Sequence, residues 1–284
     1  MAFLSEMENG TGFLPPEVTA KRGSDLAAGY NSATPFPHIV IDDFLPESVL
    51  EMCLDQLPSK TGRSGVRFDR EQERFKTHYM PDDLSDDLRG LFYAFNSRPF
   101  IRVLENITGI KGLIPDPFFL GAGIHETTQG GHLSIHADFN HHKPMNLERR
   151  INVLIYLNRD WKLEYGGALE LWNQEMTKKE REIEPLFNRC VIFNTDSNSY
   201  HGNPEPVNHP DGESRKSIAL YYYTATWDAS RRDHTTQFKV RSGTDDKADW
   251  KVRSRELMLD FVPPVLHRAL RRAAGRKPAA AATD

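Results

Sequence analysis

The chain has 284 residues, of which 36 are Lys or Arg and 40 are Asp or Glu, for a net charge of −4. That balance excludes the chain-wide basic field of a nucleic-acid binder, and no apolar run approaches the ~18 residues of a membrane-spanning helix. With 38% hydrophobic and 10% aromatic residues, the composition is that of a folded chain, and its length allows either two domains or one domain with appendages. The N-terminal stretch MAFLSEMENG has no basic region followed by an apolar one, so no secretory signal is expected. Cys53 and Cys190 are far apart, each in an apolar stretch. They read as buried thiols in a reducing compartment, which makes a cytoplasmic protein the expectation.

Residues 1–35 are polar, lack periodicity and read as a loosely ordered arm. A domain is expected over 36–228. It opens with a strand in HIVIDDF, 38–44. Val49, Leu50, Cys53, Leu54 and Leu57 recur at helical spacing, and Pro58 ends that run. The segment 59–80 is dense in charge and reads as a hairpin or a mobile loop. Its cations would suit an acidic or peptidic substrate if it covered a site; otherwise it is a solvated charge run. Ser85 is placed to cap a helix with Leu88, Leu91, Phe92 and Phe95 on one face. A further helix carries Phe100, Ile101 and Leu104 and stops near Gly109.

After Ile110 the pattern becomes a succession of short β-type runs: FFLGAGIH, HLSIHAD, RINVLIYLN, ALELW, CVIFN and SIALYYYTA. Gly166-Gly167 marks a turn between two of them. A helical buttress over about 45–110, followed by a strand-rich core over about 111–226, predicts an α+β, mainly β architecture of barrel or sandwich type. Residues 229–284 read as a C-terminal extension with short helices near 249–260 and 264–275, a basic run at 267–277 and a frayed tail.

Chemistry concentrates in HLSIHADFNHH, 132–142. Side chains at i and i+2 of a strand share a face, so His136 and Asp138 project together. A third ligand must come from elsewhere, and His201, after CVIFN and before a Gly-Asn-Pro turn, is the candidate. Two imidazoles and one carboxylate on one face of an octahedral ion leave positions open for a co-substrate and O2, the arrangement used by non-haem Fe(II) oxygenases. By itself an HxD tripeptide also fits a solvated hairpin face. Arg215, opening RKSIALYYY, suits a carboxylate partner or is one charge of a polar loop. Tyr156, inside the apolar INVLIYLN, satisfies its hydroxyl against backbone or aims it at a ligand. Asn152 shares a face with Leu154 and Tyr156 by period-2 counting, or faces solvent. His132 would share the face of His136, as a packing residue or a support for it. His141 and His142 read as a loop pair, either solvated or at a substrate mouth.

HLSIHADF, RRINVLIYLNRDWKLEYGGALELWN, YHGNP and RKSIALYYYT together resemble the prolyl-hydroxylase-like branch of the Fe(II)/2-oxoglutarate-dependent dioxygenases, over about residues 36–226. The resemblance implies a double-stranded β-helix, or jelly roll, supported by helices. It implies His136, Asp138 and His201 as Fe(II) ligands and Arg215 as the partner of the 2-oxoglutarate C5 carboxylate. Tyr156 would hydrogen-bond the same carboxylate, and Asn152 and His125 would lie near the co-substrate. Arg215 lies 14 residues after His201, a longer gap than usual in this branch, so VNHPDGES is expected to form an extended loop.

The implied activity is hydroxylation of an unactivated C–H bond in an amino acid, a peptide or protein residue, or a small natural product. O2 is consumed, 2-oxoglutarate is cleaved to succinate and CO2, and ascorbate is supportive. A carboxylate at position 138 argues against halogenation, for which related enzymes carry a small residue there. Desaturation on the same scaffold, a non-catalytic binding module that kept the residues, and a zinc hydrolase are the alternatives. The expected partner is a small-molecule or peptidyl substrate, with no nucleic acid and no membrane span; the oligomeric state is not legible.

Overall fold

The structure, a computed structural model, describes residues 1–7, 14–62, 65–228, 233–244 and 246. Two compact units divide the chain, Met1–Asp246 and Lys247–Asp284. The second, with the helices expected near 249–260 and 264–275 and the basic run at 267–277, lies outside the described residues.

Thirteen strands occur among the described residues. They are β1 (His38–Ile41), β2 (Val66–Arg70), β3 (Glu73–Tyr79), β4 (Ile114–Pro115), β5 (Gly123–Ala137), β6 (His141–His142), β7 (Leu147–Tyr156), β8 (Leu169–Trp172), β9 (Lys179–Ile183), β10 (Cys190–Asn194), β11 (His201–Asn203), β12 (Arg215–Thr224) and β13 (Gln237–Phe238). The path β1-β10-β7-β12-β5-β11-β8-β9 is antiparallel throughout. Chain neighbours are almost never sheet neighbours on this path. The sheet curls into a jelly roll with an inner face, and no helix among the described residues is long and apolar enough to cross a membrane.

Register decides which side chains line that inner face. Ser217 pairs with both His125 and Tyr156, Arg215 with Thr127, and Tyr221 with Asn152. Directly opposed residues share a face, so Arg215, Thr127, His125, Ser217, Tyr156, Leu154 and Asn152 face one another inside. Irregularities of register break the period-2 count, two of them in the β7–β12 and β3–β5 pairings. Tyr222 pairs with Ile151 but Tyr223 with Arg149, a bulge that turns Arg149 inward. Between Thr127 and His132 four residues of β5 face a single residue of β3, because Lys76 pairs with Thr127 and Arg74 with His132. Gly130 (φ 74°) and Gly131 occupy this kink, and a Cβ on Gly131 would lie 2.7 Å from the Thr128 carbonyl oxygen and 2.8 Å from that of Arg74.

The helices cover the outer face. Ser85 caps Asp86–Phe95 by accepting from Leu88 N, and Gly109 (φ 74°) ends Arg98–Thr108. Phe100, Val103, Leu104 and Ile107 recur at helical spacing and are fully buried in the main core, where Tyr222 donates to the Phe95 carbonyl at 2.9 Å. The described parts of the N-terminal segment join the core. Leu4, Met7, Leu14 and Tyr30 are buried in the same core, and Asn106 donates to the carbonyls of Ala20 and Arg22 at 3.1 Å each. Widely spaced apolar residues anchor it, a pattern with no helical or strand period to betray it. The charged 59–80 segment contains the β2–β3 hairpin, with β3 paired to β5. The loop VNHPDGES is tied to β5, since Val207 N donates to Gly131 O at 2.9 Å and Gly130 N to Val207 O at 2.7 Å.

Gly166 and Gly167 form the expected turn, with φ of 70° and 68°. A Cβ on Gly166 would stand 2.1 Å from the Pro206 carbonyl oxygen. Gly166→Ala should therefore combine left-handed strain with a backbone clash and lower the unfolding free energy by at least about 1–2 kcal/mol, measured by urea denaturation.

His78 and His125 meet edge to face at 5.0 Å in the β3–β5 wall and bond the carbonyls of Ala122 and Gly121. Burial lowers both pKa values. In acid the unfolded chain therefore takes up protons that the folded chain refuses. Stability from each ring is complete above about pH 6.5 and declines below it by up to ~1.4 kcal/mol per pH unit until the folded ring protonates. Urea unfolding at pH 7.5 and 5.5 should show this decline, shallower in His78→Gln.

Candidate metal centre

β5 and β11 bring the three expected ligands together. His201 sits opposite His136 in the ladder, and Asp138 follows β5 directly. One ligand atom from each of His136, Asp138 and His201 lies within 4.8 Å of the others. His136 Nε2 is 3.6 Å from Asp138 Oδ1, and His201 Nε2 is 3.3 Å from Oδ2.

Each imidazole is oriented by its own backbone. His136 Nδ1 donates to Ser134 O at 2.8 Å and His201 Nδ1 to Ser199 O at 2.9 Å. A carbonyl can only accept, so each Nδ1 carries the proton and each Nε2 presents its lone pair to the centre. Aromatic rings hold the imidazoles in place: Phe193 lies 4.7 Å from His201, and Phe238, on β13, lies 5.4 Å from His136. The compact unit thus runs past residue 228, because β13 pairs with β5 at Ala137 and His136. Burial lowers the pKa of His201, which keeps it neutral and able to bind a cation near pH 7. Burial pushes the Asp138 carboxyl up, but the neighbouring Arg149 guanidinium holds it well below the usual carboxylate range.

At the other end of the inner face stands Arg215, 5% exposed. Its Nε donates to Gly167 O at 2.7 Å and its Nη2 to the Tyr156 hydroxyl at 3.3 Å, with the Tyr156 ring 5.0 Å away. No salt bridge to a described carboxylate neutralises it. Burial lowers its pKa, opposed only by Tyr156. A buried guanidinium with neutral partners favours an anionic ligand. The arrangement therefore offers a cation site of two nitrogens and one oxygen, and an anion site on the same face.

Asn152, expected near the co-substrate, has its amide committed elsewhere. Its Nδ2 donates to Asp138 Oδ2 at 2.8 Å and its Oδ1 accepts from Arg149 Nη2 at 2.7 Å. His125 lies on the inner face opposite Ser217, with its ring bonded to Gly121 O at 2.9 Å. His132 bonds Glu71 O at 3.0 Å, in the turn between β2 and β3, and the register of β5 slips between it and His136, where Leu133 pairs with Asn203 and His136 with His201. His142 is not a loop residue: it is fully buried and bonds Asp116 at 3.2 Å. His141 stacks on Trp227 at 4.1 Å. Arg149, Phe193 and Phe238 were not singled out from sequence. An arginine early in β7, ahead of its apolar run, was the available signal for the first. Nothing local marked the two phenylalanines.

Residues 122–223 match the 2OG-Fe(II) oxygenase superfamily. Among solved structures the fold is similar to a prolyl hydroxylase from Trichoplax adhaerens in complex with a hypoxia inducible factor oxygen degradation domain peptide fragment. That pairing has a TM-score of 0.55 and 19% identity, covering 76% of this chain and 96% of that one. It is also similar to a prolyl 4-hydroxylase structure from Phytophthora capsici, with a TM-score of 0.50 and 16% identity, covering 76% and 68%. At these identities the structural likeness is one of fold.

Proposed function

From the premise that the chain carries a 2OG-Fe(II) oxygenase domain of prolyl-hydroxylase-like type, we propose that it is a hydroxylase of unactivated C–H bonds. The substrate class is an amino acid, a peptidyl residue or a small natural product. The observation that carries this reading is the pairing of two buried histidines and a half-buried carboxylate with a buried, carboxylate-free Arg215 on the same inner face.

The donor set of two imidazoles and one carboxylate fits Fe(II). His136, Asp138 and His201 would hold the metal, and Arg215 with the Tyr156 hydroxyl would hold the distal carboxylate of 2-oxoglutarate. Bound Fe(II) supplies the redox chemistry by which one O2 splits 2-oxoglutarate into succinate and CO2 and converts substrate C–H to C–OH.

The chain's own part is orientation and exclusion of water. Arg215 sets the distance between the anchored carboxylate and the ligands. His125, Thr127, Ser217 and Leu154 share the inner face with it, so much of the cavity wall is uncharged. Phe193 and Phe238 prevent the ligand rings from turning. The β2–β3 hairpin is a candidate for contact with substrate, because Lys76 points to the inner side beside Thr127 and pairs with Glu73 at 3.0 Å.

Purified protein with Fe(II), ascorbate and 2-oxoglutarate should release succinate. Anaerobic addition of 2-oxoglutarate to the Fe(II) protein should produce a visible charge-transfer band. Absence of both, with iron shown to be loaded, would refute the reading. A succinate-release screen across amino acids, peptides and cell extracts identifies the substrate.

A further inference from the structure

Arg149 has no role in the reaction as read so far. Its side chain is 1% exposed, so it does not reach the substrate mouth. It lies 3.6 Å from the ring centroid of Tyr221 and 4.4 Å from that of Phe139. Among the described residues Asp138 is the one carboxylate with which it forms a salt bridge, at 3.1 Å from Nη2 to Oδ2. Its Nε and Nη2 also converge on Asn152 Oδ1, at 3.1 and 2.7 Å. Asn152 Nδ2 closes the triangle by donating to the same Oδ2 at 2.8 Å. Two donors thus hold Oδ2, which also lies 3.3 Å from His201 Nε2, while Oδ1 lies 3.6 Å from His136 Nε2 and has neither donor on it.

Resting on the metal reading above, we propose that Arg149 and Asn152 are positioning residues that fix the rotation of the Asp138 carboxylate and restrict it to one oxygen toward the metal. A carboxylate free to rotate about its terminal bond can chelate through both oxygens. That would take a coordination position which the co-substrate or O2 requires. Engaging Oδ2 with a guanidinium and an amide removes this option. The guanidinium also balances the buried negative charge before any cation arrives. The aromatic rings of Tyr221 and Phe139 hold the guanidinium without competing as acceptors.

Co(II) is the probe, because its visible absorption reports ligand number and symmetry without turnover. Arg149→Gln and Asn152→Ser should each bind Co(II) at least ~10-fold more weakly than wild type. Both should change the shape and intensity of the visible band. Asn188→Ser serves as the stability control: its amide bonds Leu45 N and O at 2.8 Å each in the core, so its loss should lower stability and leave the Co(II) spectrum unchanged. Should Arg149→Gln fail to fold by circular dichroism, Asn152→Ser decides. Spectra unchanged and affinities within twofold of wild type in the folded variants would overturn the proposal while leaving the metal site intact. Failure of wild type to bind Co(II) would overturn the metal reading itself, a different and recognisable result.

Discussion

Asp138→Ala is expected to reduce Fe(II)-dependent succinate release to background and to destabilise the fold. Asp138 is the sole anionic member of the three-residue cluster, so its loss leaves two neutral imidazoles that hold a hard divalent ion poorly. The second effect comes from Arg149. With side-chain exposure of 1% and its salt-bridge carboxylate removed, the guanidinium becomes an uncompensated buried charge, a change that costs about 3–5 kcal/mol. Asp138→Asn keeps the shape but not the charge and should share the loss of activity and much of the destabilisation. Adding Arg149→Met to Asp138→Ala should restore most of the stability and none of the activity. Denaturant unfolding and succinate release separate the two effects, because the double-mutant cycle isolates the charge pair. Equal stability of Asp138→Ala and wild type would refute the burial argument.

The second large effect is expected at Arg215→Met. Without co-substrate, the wild-type guanidinium is buried with only a carbonyl and a hydroxyl as hydrogen-bond partners, so the variant should be as stable as wild type or more so. The order should reverse when 2-oxoglutarate is added. At 100 times its dissociation constant a ligand stabilises its protein by about 2.7 kcal/mol, and the variant should lose that increment. Removing one partner of a buried, charge-assisted carboxylate contact costs roughly 2–5 kcal/mol, which predicts an increase of at least ~30-fold in the KM for 2-oxoglutarate. Metal binding should persist, since Arg215 contacts none of the three ligands. A 2-oxoglutarate affinity within threefold of wild type would remove Arg215 from the anion site.

Different parts of the molecule were legible to different degrees. Helix ends were marked locally: Ser85 and Gly109 stand where the structure starts one helix and stops another. The order and approximate extent of most core strands followed from β-branched runs between turn residues, and Tyr156, Leu154 and Asn152 do share a face as alternation required. Alternation failed wherever a bulge intervened. Counting by two from Asn152 places Arg150 inward and Arg149 outward, and the shift at Tyr222/Tyr223 reverses them. The same count from His136 places His132 beside it, but the register shifts between Leu133 and His136 and His132 bonds Glu71 instead. The buried pair of His142 and Asp116 was invisible because its members are 26 residues apart and neither lies in a periodic run.

What the sequence by itself determined is the inventory of the proposed chemistry: a histidine and an aspartate two residues apart at the end of one strand, a distant histidine before a turn, and an arginine opening the last long strand. Alternation within a strand is a local property, so it can be counted along the chain, and the resemblance of the surrounding blocks supplied the rest. Only the tertiary structure decided which oxygen of Asp138 is held, by whom, and what faces Arg215. Those outcomes depend on register between strands far apart in the chain, on bulges, and on which charges burial leaves without a partner. None of these is encoded within the few residues that a local pattern can span.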